Sequence, residues 1–254
     1  MSETMRIVQL YPELLGVTGD RGNVAVFETR LRAAGLDVET VRVGVGEPLP
    51  DGGIDVLVIG NGPLSAMRRV APDLHAKREV IAAIFSAGSL VFAVGAGAEL
   101  LSRGTTTIEG EHLAGLDLFP FAVTRSRERR VGYIVAESEH GQIVGFEDHA
   151  ATWHLDAGAA ALATVTAGGG SIGVPGAGAG ESIRVGEAYA TNVQGPALPL
   201  NPEWADAMLT AALARRGIDY ARTREHERLD ALARGARERI IALARVTQIT
   251  AIGL

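Results

Sequence analysis

Val91-Phe92-Ala93-Val94-Gly95-Ala96-Gly97-Ala98-Glu99-Leu100-Leu101 decides the fold. The run LVFAV at Leu90–Val94 is apolar without alternation, as a strand buried on both faces requires. A glycine-rich turn follows at once, then a short helical run. This is the layout of a nucleophile elbow, whose turn residue is held strained above the sheet edge, close to a helix N-terminus. The turn residue here is Gly95. Glycine adopts positive φ almost freely, so Gly95 is expected to keep it, and Gly95→Cys is expected to be tolerated at a cost.

Strands and helices alternate on the N-terminal side of this segment. Arg6–Leu10 is short and apolar, Asp37–Val43 alternates, and Ile54–Ile59 is a continuous apolar run closed by Gly60. Between them, Gly22–Ala34 carries Val24, Phe27, Leu31 and Ala34 at helical spacing. Asp73 reads as the cap of a helix running to about Ser86. The pattern predicts an α/β fold, a mostly parallel, flavodoxin-like sheet with helices on both faces. On the C-terminal side, Tyr133–Ala136, Gln142–Phe146, Ala161–Thr166 and Ala188–Val193 read as strands, and 167–180 as a glycine-rich surface loop. Pro202–Arg216 reads as a helix with Asn201 as cap. Asp219–Thr247 reads as another, with Leu229, Leu232, Ala236, Ile240 and Leu243 in one apolar stripe and Arg228, Arg234, Arg237 and Arg239 largely off it. Residues 1–216 are thus expected to form one domain, and 217–254 an amphipathic helix that packs on it or docks a partner.

Aromatic residues make up only 5% of the chain, so the core must lean on Val, Leu, Ile and Ala. A net charge of −6 gives no field to recruit nucleic acid or an anionic membrane. No apolar stretch reaches bilayer length, and the N-terminus shows no basic and apolar leader, so a cytoplasmic protein is expected. The chain has no cysteine, which excludes disulfides, thiolate metal sites and cysteine nucleophiles.

Further segments join the elbow in a fixed order: Leu10-Tyr11-Pro12-Glu13-Leu14-Leu15, Gly19-Asp20-Arg21-Gly22-Asn23, Val144-Gly145-Phe146-Glu147-Asp148-His149 and Gln194-Gly195-Pro196-Ala197-Leu198-Pro199-Leu200-Asn201-Pro202. With them the chain resembles the class I glutamine amidotransferases of the cobyric acid synthase type. Within that family it is most similar to the small glutaminase subunits of lipid II isoglutaminyl synthases. The resemblance covers nearly the whole chain up to the last helix. It implies the family fold, no cofactor, and a protein partner: a Mur-ligase-like enzyme that amidates the peptidoglycan stem peptide, or a second copy.

The same resemblance places the family's catalytic cysteine at Gly95 and its catalytic histidine at Gln194, so no catalytic residue is intact. It places the oxyanion turn and pocket at Gly60, Asn61, Gly62, Ala96, Gly97 and Glu99, with Pro63-Leu64 replacing the family's glutamine-aspartate pair. Arg129 or Arg130 matches an arginine that helps hold the substrate. Amide hydrolysis needs a nucleophile and a group that takes and returns protons. Glycine supplies no nucleophile and glutamine no base, and losing either costs orders of magnitude in rate.

Ser65, Ser86, Ser89 and Ser102 are the nearby hydroxyls, with Ser102 on the helix and expected to point elsewhere. Glu99 reads as a helix-surface glutamate, and Arg125, Arg127, Arg129 and Arg130 also read as a solvated basic run. Glu147, Asp148, His149 and His154 raise a metal site, but strand alternation sends neighbours to opposite faces, so none is assigned. Gly95-Ala96-Gly97 is no dinucleotide fingerprint, because Leu100 stands at the third-glycine position. The resulting expectation is a catalytically degenerate subunit. The alternatives are a sensor for a glutamine-like amide, or an enzyme that has reused the pocket. A scaffold would show a collapsed or apolar pocket, a sensor an intact one with donors, and an enzyme a convergent set of titratable groups.

Overall fold

The computed structural model describes residues 4–246 and 250–253. Its first half follows the alternation read from the sequence: β1 (Thr4–Leu10), α1 (Arg21–Ala33), β2 (Asp37–Val43), β3 (Val56–Ile59), α2 (Leu64–Ala76), α3 (Arg78–Ser86), β4 (Leu90–Val94) and α4 (Ala96–Leu101). Then come β5 (Gly104–Thr106), β6 (His112–Ala114), β7 (Phe121–Ser138), β8 (Gly141–Leu155), β9 (Ala163–Ala167), β10 (Gly180–Glu181), β11 (Ile183–Val185) and β12 (Ala188–Thr191). The chain continues through α5 (Ala197–Leu200), α6 (Pro202–Ala214), α7 (Arg224–Ala244) and β13 (Thr250–Gly253).

The main sheet has the order β11-β12-β4-β3-β1-β2. Every pairing in it is parallel except β11 with β12. Both faces are covered, as the apolar strands require. One face buries Val58 and Phe92 against Phe27 of α1 and Trp204 of α6. The other buries Leu57, Ile59 and Val91 with Met67 and Leu74 of α2 and Ile81 of α3.

A second sheet, mostly antiparallel, is built around β7, with β8 along one edge and β5, β13 and β9 along the other. The sequence showed only short apolar pieces of β7 and β8, whereas the strands run 18 and 15 residues. The polar run Arg125–Arg130 hid the continuity of β7, and the β7–β8 register shifts across it.

Three local expectations are corrected. Asp73 does not cap a helix: α2 begins nine residues earlier, at Leu64 after the extended Pro63, and continues through Pro72. Asp73 instead accepts from Tyr11 Oη at 2.6 Å, Gly46 N at 3.0 Å and Lys77 Nζ at 2.6 Å. The last helix begins at Arg224 rather than Asp219, and Thr247 lies outside the described residues. Its expected apolar stripe is only partly inward: Leu229, Ile240 and Leu243 are half-buried, with Ile240 packed against Val135 and Val144, but Leu232 and Ala236 are exposed. Leu232 is 68% exposed, while His226, Ala233 and Ala244 are buried. Arg237 turns inward, donating to Leu200 O at 2.6 Å and Gln142 O at 3.0 Å. The helix is tied to the body by Arg30, which is buried and bonds Asp206 at 2.5 Å and Asp230 at 2.9 Å.

Candidate functional site

The strand–turn–helix corner is present at Gly95, with φ +50° and ψ −111°. The positive φ expected of this glycine is observed. Gly95 N donates to Thr191 O at 2.8 Å, which ties the corner to β12. The loop after β3 comes alongside, and Gly97 N donates to Gly60 O at 3.1 Å. Gly97 and Gly60 serve close packing here. A Cβ on Gly97 would strike the Ile59 carbonyl, and one on Gly60 would stand 2.6 Å from the Asp20 carboxylate carbon. Asn61 lies next to the corner, and its Oδ1 accepts from Ala96 N at 2.9 Å.

A cavity of about 520 Å³ opens beside this corner. Asn61, Gly62, Glu99, Arg129 and Gln194 of the expected site line it. Gly60, Gly95, Ala96, Gly97 and Arg130 do not: the glycines and Ala96 are buried in the corner's packing, and the buried Arg130 donates to Ala151 O. Strand alternation separates the two arginines. Arg129 faces the cavity and pairs with Asp148 at 2.5 Å, while the buried Arg130 donates to Ala151 O at 2.5 Å.

Glu99 is not a surface residue. It is 3% exposed, held by Arg125 through Nε at 3.1 Å and a terminal nitrogen at 2.9 Å, and accepts from Thr105 Oγ1 at 2.8 Å. The expected basic run is likewise mostly partnered: of its four arginines, Arg125, Arg129 and Arg130 are engaged as described. Sequence reasoning missed Asn192, which lines the cavity, is 1% exposed, and has no hydrogen-bond partner for either side-chain polar atom within the described chain. Gln194 Oε1 is also buried and unpartnered. No local signal marks Asn192, since only the bend after β12 turns it inward.

Titration in the walls is set by burial. Desolvation drives the His149 pKa down to about 3, with the Arg130 guanidinium adding to the effect, so this imidazole is neutral at ordinary pH. Burial raises Glu147, which accepts from Gly169 N at 2.6 Å and Gly170 N at 3.0 Å. Burial also lifts Asp20 to about 6, against the hydrogen bond it accepts from Asn61 N. Glu147 and His149 fall on the buried face of β8 and Asp148 on the other, while His154 is exposed and bonds Thr124. Among the described residues no three His, Asp or Glu side chains converge to hold a metal. Ser89 and Ser102 spend their hydroxyls on Ile54 O and Glu99 O, both at 2.7 Å, and Ser65 and Ser86 are exposed.

Parallel α/β sheet, elbow corner and flanking cavity define a glutamine amidotransferase fold. The chain belongs to the CobB/CobQ-like glutamine amidotransferase domain family, whose model matches residues 19–200. It is 27% identical over 217 residues to the lipid II isoglutaminyl synthase (glutamine-hydrolyzing) subunit GatD of Staphylococcus aureus, covering 85% of this chain and 87% of that one. The GatD subunit of Streptococcus pneumoniae is 24% identical over 215 residues, covering 84% and 82% of the two chains. Among solved structures, a glutamine amidotransferase of Thermotoga maritima aligns with a TM-score of 0.52 at 14% identity, covering 95% of both chains. A second glutamine amidotransferase aligns at 0.53 and 18% identity, covering 81% of this chain and 98% of the other. These two show the shared fold. No helix among the described residues is long and apolar enough to cross a membrane.

Proposed function

We propose that this chain is a catalytically silent glutamine amidotransferase subunit that serves a Mur-ligase-like partner in lipid II metabolism. The observation that carries it is the corner itself: Gly95 stands at the turn, with the amide hydrogen of Ala96 already bonded to Asn61. Acyl transfer from an amide needs a nucleophile at that turn, a proton carrier beside it, and a free amide hydrogen to take the developing oxyanion. Gly95 offers no nucleophile, Gln194 no base, and the chain no cysteine. His149 stands in the cavity wall, 7% exposed, but with its pKa pushed down to about 3 it is a poor base, and the carboxylates Glu99 and Asp148 are each paired with an arginine, so these groups do not form an alternative set.

Two GatD relatives covering more than four-fifths of the chain support the subunit role, because their name places them in a lipid II isoglutaminyl synthase. The test is ammonia release from glutamine by the purified chain, alone and with a co-expressed Mur-ligase-like protein of the same source. Background rates and co-elution as one complex are expected. Turnover abolished by Gln194→Ala or Glu99→Ala would overturn the silent-subunit reading, and separate elution would overturn the partnership. A sensor for a small amide is the second reading, favoured by the open cavity of about 520 Å³ with the unpartnered Asn192 and Gln194 in its wall, which is what a sensor rather than a collapsed scaffold pocket would show. Titration calorimetry with glutamine separates it, since a sensor releases heat without turnover.

A further inference from the structure

Gly95 carries no side chain, yet the space one would take is filled. A Cβ placed on Gly95 would collide with Asn61 Oδ1 and stand 2.6 Å from Asn61 Cγ and 3.2 Å from its Cβ. The whole outer part of the Asn61 side chain therefore occupies the volume into which a residue at position 95 would project. The contact is also bonded, since Asn61 Oδ1 accepts the Ala96 N–H at 2.9 Å.

Asn61 is fastened from behind. Its N–H donates to Asp20 Oδ2 at 3.1 Å, and its carbonyl accepts from Val17 N at 3.2 Å. One residue earlier, Gly60 O takes the Gly97 N–H at 3.1 Å, which pins the loop to the first turn of α4. Loop and corner therefore hold the carboxamide in place from both sides. A carboxamide oxygen on the amide hydrogen just after the turn is the group and position an incoming substrate carbonyl would take at an elbow.

We infer that Asn61 is an intramolecular occupant of the elbow: its carboxamide closes the corner in cis and holds the amide hydrogen just after the turn, one of those a bound amide would use. This deepens the silent-subunit reading and rests on the same assignment of the elbow. Restoring a thiol alone would not reopen such a site. A side chain at position 95 must either displace Asn61, breaking the bond to Ala96, or remain pressed against it.

The chain contains no cysteine, so any thiol introduced is the only one present. The test compares Gly95→Cys with the double variant Asn61→Gly/Gly95→Cys, and reads the rate of alkylation by iodoacetamide, itself a small amide. Ser65→Cys, at an exposed position, calibrates the reagent. With both corner variants folded by circular dichroism, the double variant is expected to react at least tenfold faster than Gly95→Cys. Equal rates would overturn the inference. Should Gly95→Cys fail to fold, recovery of folding in the double variant supports the inference, and failure of both overturns it. None of these arms measures ammonia, so the inference can fail while the silent-subunit reading stands, and the reverse also holds.

Discussion

The carboxamide of Asn201 pairs with both backbone groups of Val144: Oδ1 accepts the N–H at 2.8 Å, and Nδ2 donates to the carbonyl at 2.7 Å. One side chain thus stands beside β8 as a neighbouring strand would. Arg237 of α7 donates to the same Oδ1 at 2.7 Å, so a single residue joins α6, β8 and α7. The sequence marks Asn201 as a helix cap, and it does sit at the N-cap position just before α6, but its side chain makes no capping bond.

Asn201→Ala should therefore cost more than a lost cap. It strands two buried backbone groups and a guanidinium contact, at about 2–4 kcal/mol in all. Urea denaturation should show the midpoint fall, with Asn201→Asp in between because it keeps the acceptor. An unchanged midpoint would mean that water replaces the carboxamide without loss.

Arg125→Ala should leave the Glu99 carboxylate, 3% exposed, with Thr105 as its remaining side-chain partner. Breaking a buried pair on one side costs about 3–5 kcal/mol. The double variant Glu99→Leu/Arg125→Met should recover much of that, since an apolar pair carries no stranded charge. A double variant as unstable as the single one would show that the pair's geometry, rather than its charge, holds α4 to β7.

His149 makes stability fall in mild acid. Its folded pKa of about 3 lies below the unfolded value of 6.5, so its contribution is present above 6.5 and is lost as pH drops through the window between them. From pH 7.5 to pH 5 the loss from this residue amounts to about 2 kcal/mol. Asp20, raised to about 6, acts in the opposite sense and weakens the fold as pH rises toward 6. The isolated signal is the pH dependence of the stability difference between the parent and His149→Gln, which should shrink by about that amount. A difference that stays flat over the range would show that folding does not depress the His149 pKa.

Deleting residues after Ile218 removes α7 and with it Asp230, His226 and Arg237. Arg30, buried and bonded to Asp230, would lose that partner, and its carbonyl would lose the contact from His226 Nε2 at 3.1 Å. The truncated chain is expected to lose cooperative unfolding by calorimetry. A truncated chain that melts sharply but no longer elutes with a Mur-ligase-like partner would make the helix a dock instead.

Much of the first sheet was legible because its signals are local. Leu90–Val94 and Ile54–Ile59 are apolar without alternation, which marks strands buried on both faces, and the glycine turn at Gly95 follows its strand directly. Helix α2 was missed because Pro63 and Pro72 read as loop signals, although the first precedes the helix and the second is tolerated inside it. The length of β7 was missed because its middle is charged, and those charges find partners only once Glu99 and Asp148 arrive.

The sequence by itself determined which groups are absent: no thiol anywhere, and neither nucleophile nor base at Gly95 and Gln194, the two positions where the family resemblance expects them. Side-chain chemistry is a property of the residue, so its absence can be read without coordinates. Only the tertiary structure decided what fills the corner. Asn61 meets Ala96 across 35 residues of chain and Glu99 meets Arg125 across 26. Arg30 meets Asp206 across 176. Those contacts depend on how the β3 loop, the second sheet and α6 are carried into place by packing, and no periodicity or local propensity encodes such distances.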